Sequence, residues 1–161
     1  MTQPTTLIAG GAGFIGSHLA DRLAETCDVT VLDNLSAGRR DQVPAEAELV
    51  PADIRDTERL EDVITGADVV FHQAALVSIN QSIERPVESH EINLDATLHL
   101  LECAADANAR VVLASSTAIY GDPATLPVTE PQPKSPSSPY GLDKLAVDNY
   151  ARLYSELYGL E

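Results

Sequence analysis

Basic residues are scarce in this 161-residue sequence: eight arginines and two lysines, Lys134 and Lys144, stand against 25 aspartates and glutamates, for a net charge of −15. A nucleic-acid binder neutralises phosphates with a basic stripe, and none is present, so that class is excluded. The acids are spread over many segments, which argues against an acidic interaction tail. A strongly acidic, lysine-poor surface is instead expected of a halophilic protein, kept soluble while salt screens its self-repulsion. Long apolar runs are also missing. None approaches the roughly 20 residues of a membrane span, and the opening "MTQPTTLIAGG" carries neither a basic leader nor a cleavage site, so no membrane association and a cytoplasmic location are expected. Cysteine is limited to Cys27 and Cys103, far apart and in no metal-ligand spacing, which reads as two reduced thiols. His18, His72, His90 and His99 are scattered, none at ligand spacing from a carboxylate, and no metal is expected.

What is present alternates. "TTLIAG", "DVTVLD", "AELVPAD", "ADVVFHQAA" and "ARVVLASS" read as five nearly all-apolar strands. Between them, residues 14–25 carry Ile15, Leu19 and Leu23 at near-helical spacing. "DTERLEDVITG" carries Leu60, Val63 and Ile64 on one face, with an Asp-Thr cap and a stop at Gly66. A long helix over 86–107 starts at Pro86, and a last helix runs from about Tyr140 to Tyr158 after a Pro/Ser-rich loop, 122–139. Apolar strands alternating with helices predict an α/β fold, a doubly wound parallel sheet of Rossmann type covered on both faces, with strand order 3-2-1-4-5. The length fits one domain, 1–161.

The stretch "LIAGGAGFIGSHLADRL" places Gly10, Gly13 and Gly16 between the first strand and the first helix. Glycines there let a pyrophosphate approach the backbone N–H groups and the positive end of the helix dipole. The spacing is GxxGxxG, and a ligand-free turn between strand and helix has the same appearance. Asp33 ends the second strand 17 residues after Gly16, where a carboxylate takes the adenosine ribose hydroxyls of NAD. A carboxylate followed by Asn34 repels a 2′-phosphate and favours NAD over NADP, although Arg39 and Arg40 lie just beyond. Asp53 ends the third strand at the same edge, placed either to meet the adenine amine or to cap a helix.

In "YGLDK", Tyr140 and Lys144 stand four apart and so share one helix face. An ammonium beside a phenol favours the phenolate and makes tyrosine usable as an acid and base. The preceding strand ends in "SSTAIYG", which brings Ser116 to the edge where a nicotinamide would end. Ser116 would bond a substrate hydroxyl or carbonyl while Tyr140 exchanges its proton.

The stretches "GGAGFIGSHL", "LDNLSAG", "ADIRD", "FHQAA", "ERPVESHEINLDAT", "SSTAIYGD" and "SPYGLDK" occur in an order and spacing that closely resemble the extended short-chain dehydrogenase/reductase family, in its UDP-glucose 4-epimerase-like branch of nucleotide-sugar epimerases and dehydratases. The resemblance implies that Gly10, Gly13, Phe14, Ile15 and Gly16 hold the pyrophosphate of NAD, Asp33 and Asn34 the adenosine ribose, and Asp53 and Ile54 the adenine. It implies that Ala74, Ala75 and Leu76 line the cofactor further along, that Asn93 supports the site from the long helix, and that Ser116, Tyr140 and Lys144 are the catalytic set, with Lys144 also reaching the nicotinamide ribose. The implied reaction is NAD-dependent epimerisation of a nucleotide sugar, a UDP-sugar, through a transient 4-keto sugar, as in galactose metabolism. A dehydratase of this type carries an acidic pair after the catalytic hydroxyl residue. This sequence has Thr117 and Ala118 there, which favours the epimerase over a dehydratase or reductase. Ala96 stands where relatives often have glycine in N-x-x-G-T. Family members are much longer, so the resemblance covers an N-terminal half and leaves open a catalytically incomplete NAD-binding module needing a second chain. It also implies a homodimer built on helices 86–107 and 140–158, and the apolar stripe Leu142, Leu145, Ala146, Tyr150, Leu153, Leu157 and Tyr158 is wide enough to face both the sheet and a partner.

Overall fold

A computed structural model describes residues 3–161. Five strands, β1 (Thr5–Ala9), β2 (Asp28–Leu32), β3 (Glu48–Val50), β4 (Val69–His72) and β5 (Arg110–Leu113), form one sheet in the order β3-β2-β1-β4-β5. Every pairing is parallel, as the alternation of apolar strands and helices predicts. The register aligns Ala9 with both Leu32 and His72, so the chain leaves β1, β2 and β4 at one edge. The strand order reverses between β1 and β4, which opens a crevice at that edge.

The helices are α1 (Phe14–Leu23), α2 (Thr57–Ile64), α3 (Ile79–Glu84), α4 (Pro86–His90), α5 (Ala96–Ala107) and α6 (Pro139–Tyr158). Asp56 caps α2 by accepting from the Arg59 N–H, and Gly66 ends that turn at φ 88°. Ser138 caps α6 ahead of Pro139 at its first position. Three features depart from the sequence reading. α3 was not expected, since its six residues are too few to show a period. The long helix is interrupted by a π-helical segment, Glu91–Asp95. In α1 the buried residues are Gly16, Ser17 and Ala20, because glycine and alanine let the helix lie close to the sheet; Ile15 instead is 58% exposed.

Successive strand residues point to opposite faces. Leu7, Ala9 and Val70 join Leu60 and Ile64 of α2 and Leu100 and Leu101 of α5 in one cluster. Ile8 and Val31 pack with Ala20 of α1 on the other face.

Candidate functional site

The glycine turn is shaped by backbone contacts. Gly10 sits at φ 83°, where a side chain is strained, and a Cβ there would lie 2.5 Å from the Ala74 nitrogen. A Cβ on Gly16 would lie 2.2 Å from the Gly10 carbonyl oxygen, so these two glycines are required by the fold itself. Gly13 is different. Its φ of −80° suits any residue, and a Cβ would meet nothing closer than the Gly10 oxygen at 3.4 Å. The fold does not require glycine at this position, and the missing side chain leaves room for a ligand.

Gly13 is also the N-cap of α1, with no side-chain cap and no acidic residue in the first turn. The leading N–H groups of the helix therefore have no intrahelical or side-chain acceptor, and they carry the positive end of the dipole. Phe14 is 78% exposed beside them. A cavity of about 770 Å³ opens from this turn and continues past Asp33 and Asn34 to Asp53 and Ile54, with Ala74, Ala75 and Leu76 as its opposite wall. An elongated anion with a diphosphate at the helix end and an apolar-edged ring system beyond it fits these walls.

Asp33 has a second task that the sequence did not reveal. It is buried, one carboxylate oxygen accepting from the Ala12 N–H at 3.0 Å and the other from the Leu35 N–H at 2.8 Å. It holds the glycine turn while keeping acceptor capacity toward the cavity, since each carboxylate oxygen has two lone pairs. Asp53 is not a helix cap, because Asp56 has that place. Its carboxylate accepts from Arg55 through Nε at 2.8 Å and Nη2 at 3.0 Å, and from Asn34 Nδ2 at 2.9 Å. The Arg55 guanidinium holds the Asp53 carboxyl well below the usual carboxylate range. Arg55 and Arg85 also line the cavity; Arg55 lies within the stretch "ADIRD", which was the available signal.

Asn93, from the π-helical segment, is buried behind the wall. Its Oδ1 accepts from the Leu76 N–H at 2.9 Å and its Nδ2 donates to the Leu76 carbonyl at 3.2 Å. The loop after β4 is thereby clasped at both backbone groups of one residue. Nδ2 also donates to Ser89 Oγ at 3.2 Å, and Ser89 donates to Asp143 Oδ2 at 2.9 Å, which connects the clasp to α6. Ser82 accepts from the Tyr140 N–H at 3.2 Å and fixes the start of the same helix. Sequence reading missed Ser82, Ser89 and Asp143, because their partners are more than fifty residues away.

Ser116, Tyr140 and Lys144 do not line the cavity. Tyr140 and Lys144 are both buried at the start of α6, and Lys144 Nζ donates to the Ala114 carbonyl, just past β5, at 3.1 Å. Burial pushes the Lys144 ammonium below the ordinary lysine range. Ser116 caps a short turn, Thr117–Tyr120, by accepting from the Ala118 N–H at 3.2 Å. That turn packs on α6 so closely that a Cβ on Gly141 would lie 2.7 Å from the Ala118 oxygen. The hydroxyl, the phenol and the ammonium thus belong to elements meeting at the end of β5.

A family profile described as "NAD dependent epimerase/dehydratase family" matches residues 6–161. The chain belongs to this family. A protein of Methanocaldococcus jannaschii provisionally named UDP-glucose 4-epimerase is 44% identical over 159 residues, 96% of this chain and 52% of that protein. Among solved structures, a UDP-N-acetylglucosamine 4-epimerase from Methanobrevibacter ruminantium in complex with UDP-N-acetylmuramic acid superposes with a TM-score of 0.94 at 34% identity, covering 100% of this chain and 53% of that one. The Thermus thermophilus UDP-glucose 4-epimerase in complex with NAD superposes at 0.91 with 40% identity, covering 98% and 52%. The chain therefore spans about half the length of these family members.

The fold also corrects the reading of the histidines. No His–carboxylate pair is visible in sequence spacing, yet His90 Nδ1 lies 3.0 Å from Asp143 Oδ1 and His99 Nε2 lies 3.2 Å from Glu61 Oε1. Cys103 joins the second pair, with Sγ 3.6 Å from His99 Nε2. Among the described residues, Glu61, His99 and Cys103 bring one ligand atom each within 4.8 Å of one another, a grouping that sequence spacing does not show. No helix of the described residues is long and apolar enough to cross a membrane.

Proposed function

We propose that this chain is the NAD-holding, proton-transferring part of a UDP-sugar 4-epimerase. The observation that carries the reading is Gly13: a glycine that the backbone does not need, at an uncapped helix end opening on a cavity of about 770 Å³. Gly10, Gly13, Phe14, Ile15 and Gly16 would hold the diphosphate, Asp33 and Asn34 the adenosine ribose, and Asp53 with Ile54 the adenine end. Asn93 would act through Leu76 by fixing the wall formed with Ala74 and Ala75. When bound, NAD supplies reversible hydride acceptance for the sugar C4 position. Tyr140 would take the C4 hydroxyl proton at its phenol oxygen and return it once the 4-keto sugar is reduced from the other face. Ser116 would bond the same oxygen, and Lys144 would hold the nicotinamide ribose.

Titrating NAD into the 161-residue chain tests this reading. The parent chain should bind NAD. Gly13→Ala should weaken binding by roughly tenfold or more while leaving thermal stability nearly unchanged, since filling the pocket costs affinity and not packing. Unchanged affinity in Gly13→Ala would remove the glycine turn from the site. In a turnover assay on UDP-glucose, Tyr140→Phe should abolish conversion and keep NAD binding. NAD binding without turnover in the parent chain would favour the second reading, a module completed by another chain, which is supported by the half-length match and by the 42% exposure of Val112 on β5.

We further propose a cytoplasmic homodimer through α4, α5 and α6. The support is Val87 on α4 and Leu142, Tyr150, Leu153 and Leu157 on α6, all exposed. With a net charge of −15, acidic subunits repel when screening is removed, so sedimentation should show the dimer loosening as salt is lowered. A monomer at every salt concentration would refute the dimer, and one that tightens at low salt would refute the salt adaptation.

A further inference from the structure

Glu61 projects from α2, and His99 and Cys103 stand one turn apart on α5, so the three side chains meet where two helices pack on the same face of the sheet. Their ligand atoms lie within 4.8 Å of one another. The Nε2 of His99 is 3.6 Å from Cys103 Sγ and 3.2 Å from Glu61 Oε1. In a tetrahedral zinc site, with bonds of about 2.0–2.1 Å to nitrogen and oxygen and about 2.3 Å to sulfur, the N···S edge is about 3.6 Å and the N···O edge about 3.3 Å. Both observed separations are those of tetrahedral edges. The thiol is also within hydrogen-bonding reach of the same Nε2, although sulfur is a weak partner for imidazole.

We propose that Glu61, His99 and Cys103 bind one borderline divalent metal ion of the Zn²⁺ type, tying α2 to α5, with water at the fourth position. The thiolate and imidazole select such a metal over Mg²⁺ or Ca²⁺, which take oxygen ligands. Glu61 is exposed and His99 and Cys103 are half-buried, so the open position faces solvent. Glu102 and Asp106 lie near enough to Cys103 to act on it electrostatically, and they add negative charge around the site. On binding, the Cys103 thiol gives its proton to solvent and the thiolate and metal form one bond, with no change in oxidation state. None of the three residues lines the cavity beside the glycine turn, so the ion acts on the packing of the helices and not on the proposed hydride chemistry.

Cobalt(II) titration of the reduced 161-residue chain tests the site. A thiolate-to-cobalt charge-transfer band should rise, saturate at one equivalent and disappear when zinc is added. Cys27→Ser should retain it and Cys103→Ser should lose it. Glu61→Gln, a change at an exposed side chain that leaves the core untouched, and His99→Gln should each weaken cobalt binding by about tenfold or more. Absence of the band in the parent chain, its persistence in Cys103→Ser, or parental affinity in both Glu61→Gln and His99→Gln would overturn the proposal.

Discussion

On one face of the sheet Leu7, Ala9 and Val70 meet α2, α5 and α6, whereas on the other Ile8, Val29 and Val31 meet α1 and little else. Strand β5 shows the difference within four residues. Val111 and Leu113 pack into the larger cluster, while Val112, pointing the opposite way, stays in water. All three residues are apolar, so composition does not distinguish the covered face from the open one. Only the placement of the helices does. An apolar side chain on the last strand of a sheet, with its outer backbone groups only partly paired, is a hazard for pairing with other chains. The C-terminal residues offset part of it: Leu160 is buried, and the Val111 N–H donates to the Glu161 carbonyl at 2.8 Å.

The contrast between the faces breaks if the covered one tolerates truncation. Leu100, fully buried between α5 and the sheet, should cost about 2–5 kcal/mol when changed to alanine, from lost burial and the cavity left behind. Urea denaturation measures it, and a loss below about 1 kcal/mol would mean that the cover is loose.

His72 sharpens the comparison by reporting how dry that face is. Its Nε2 meets Thr97 Oγ1 at 2.8 Å, and Thr97 itself donates to the Asn93 carbonyl at 2.8 Å, so the imidazole carries its proton on Nε2. Burial, with a smaller contribution from Lys144, pushes the His72 pKa down to about 3. The unfolded imidazole takes up a proton near pH 6.5, the folded one only near 3, so the unfolded state binds more protons in between. Stability is therefore complete above about pH 6.5 and falls as the pH drops toward 3. On the order of 1 kcal/mol should go between about pH 6.5 and 5.5. His72→Gln should flatten that slope in denaturation curves taken across the interval; an equal slope in parent and variant would assign it to other groups.

The smallest effect on stability belongs to the open face. Val112→Lys should change the unfolding free energy by no more than about 0.5 kcal/mol, yet reduce self-association of the chain in light scattering at high concentration. If it destabilises as Leu100→Ala does, the face is better covered than its exposure indicates.

Strand order and the position of the crevice were legible because five apolar segments alternate with helical ones and end in ligand-sized turns. The glycine stretch was legible for the same reason, as local spacing. Asp33 was visible as the carboxylate that ends the second strand, and the fold places it on the cavity wall, but its bonds to the Ala12 and Leu35 N–H groups depend on how two loops meet. Arg55 escaped because a short exposed turn has no period, and α3 because six residues do not complete two turns. The Glu61–His99 approach joins residues thirty-eight positions apart on different helices; no spacing rule reaches across that separation.

The π-helical segment Glu91–Asp95 bears on which changes in chain length this region tolerates. An α-helix turns about 100° per residue, and a π turn accommodates one residue more than an α turn. Deleting a single residue between 91 and 95 would let α4 and α5 join as one continuous α-helix with all backbone hydrogen bonds made. Because the π turn already absorbs that additional residue, α4 and α5 would keep their relative phase and Leu100 and Leu101 their place in the core, whereas Asn93, inside the segment, would lose the position from which it bonds both backbone groups of Leu76. The helix would tolerate such a deletion and the wall of the cavity would not.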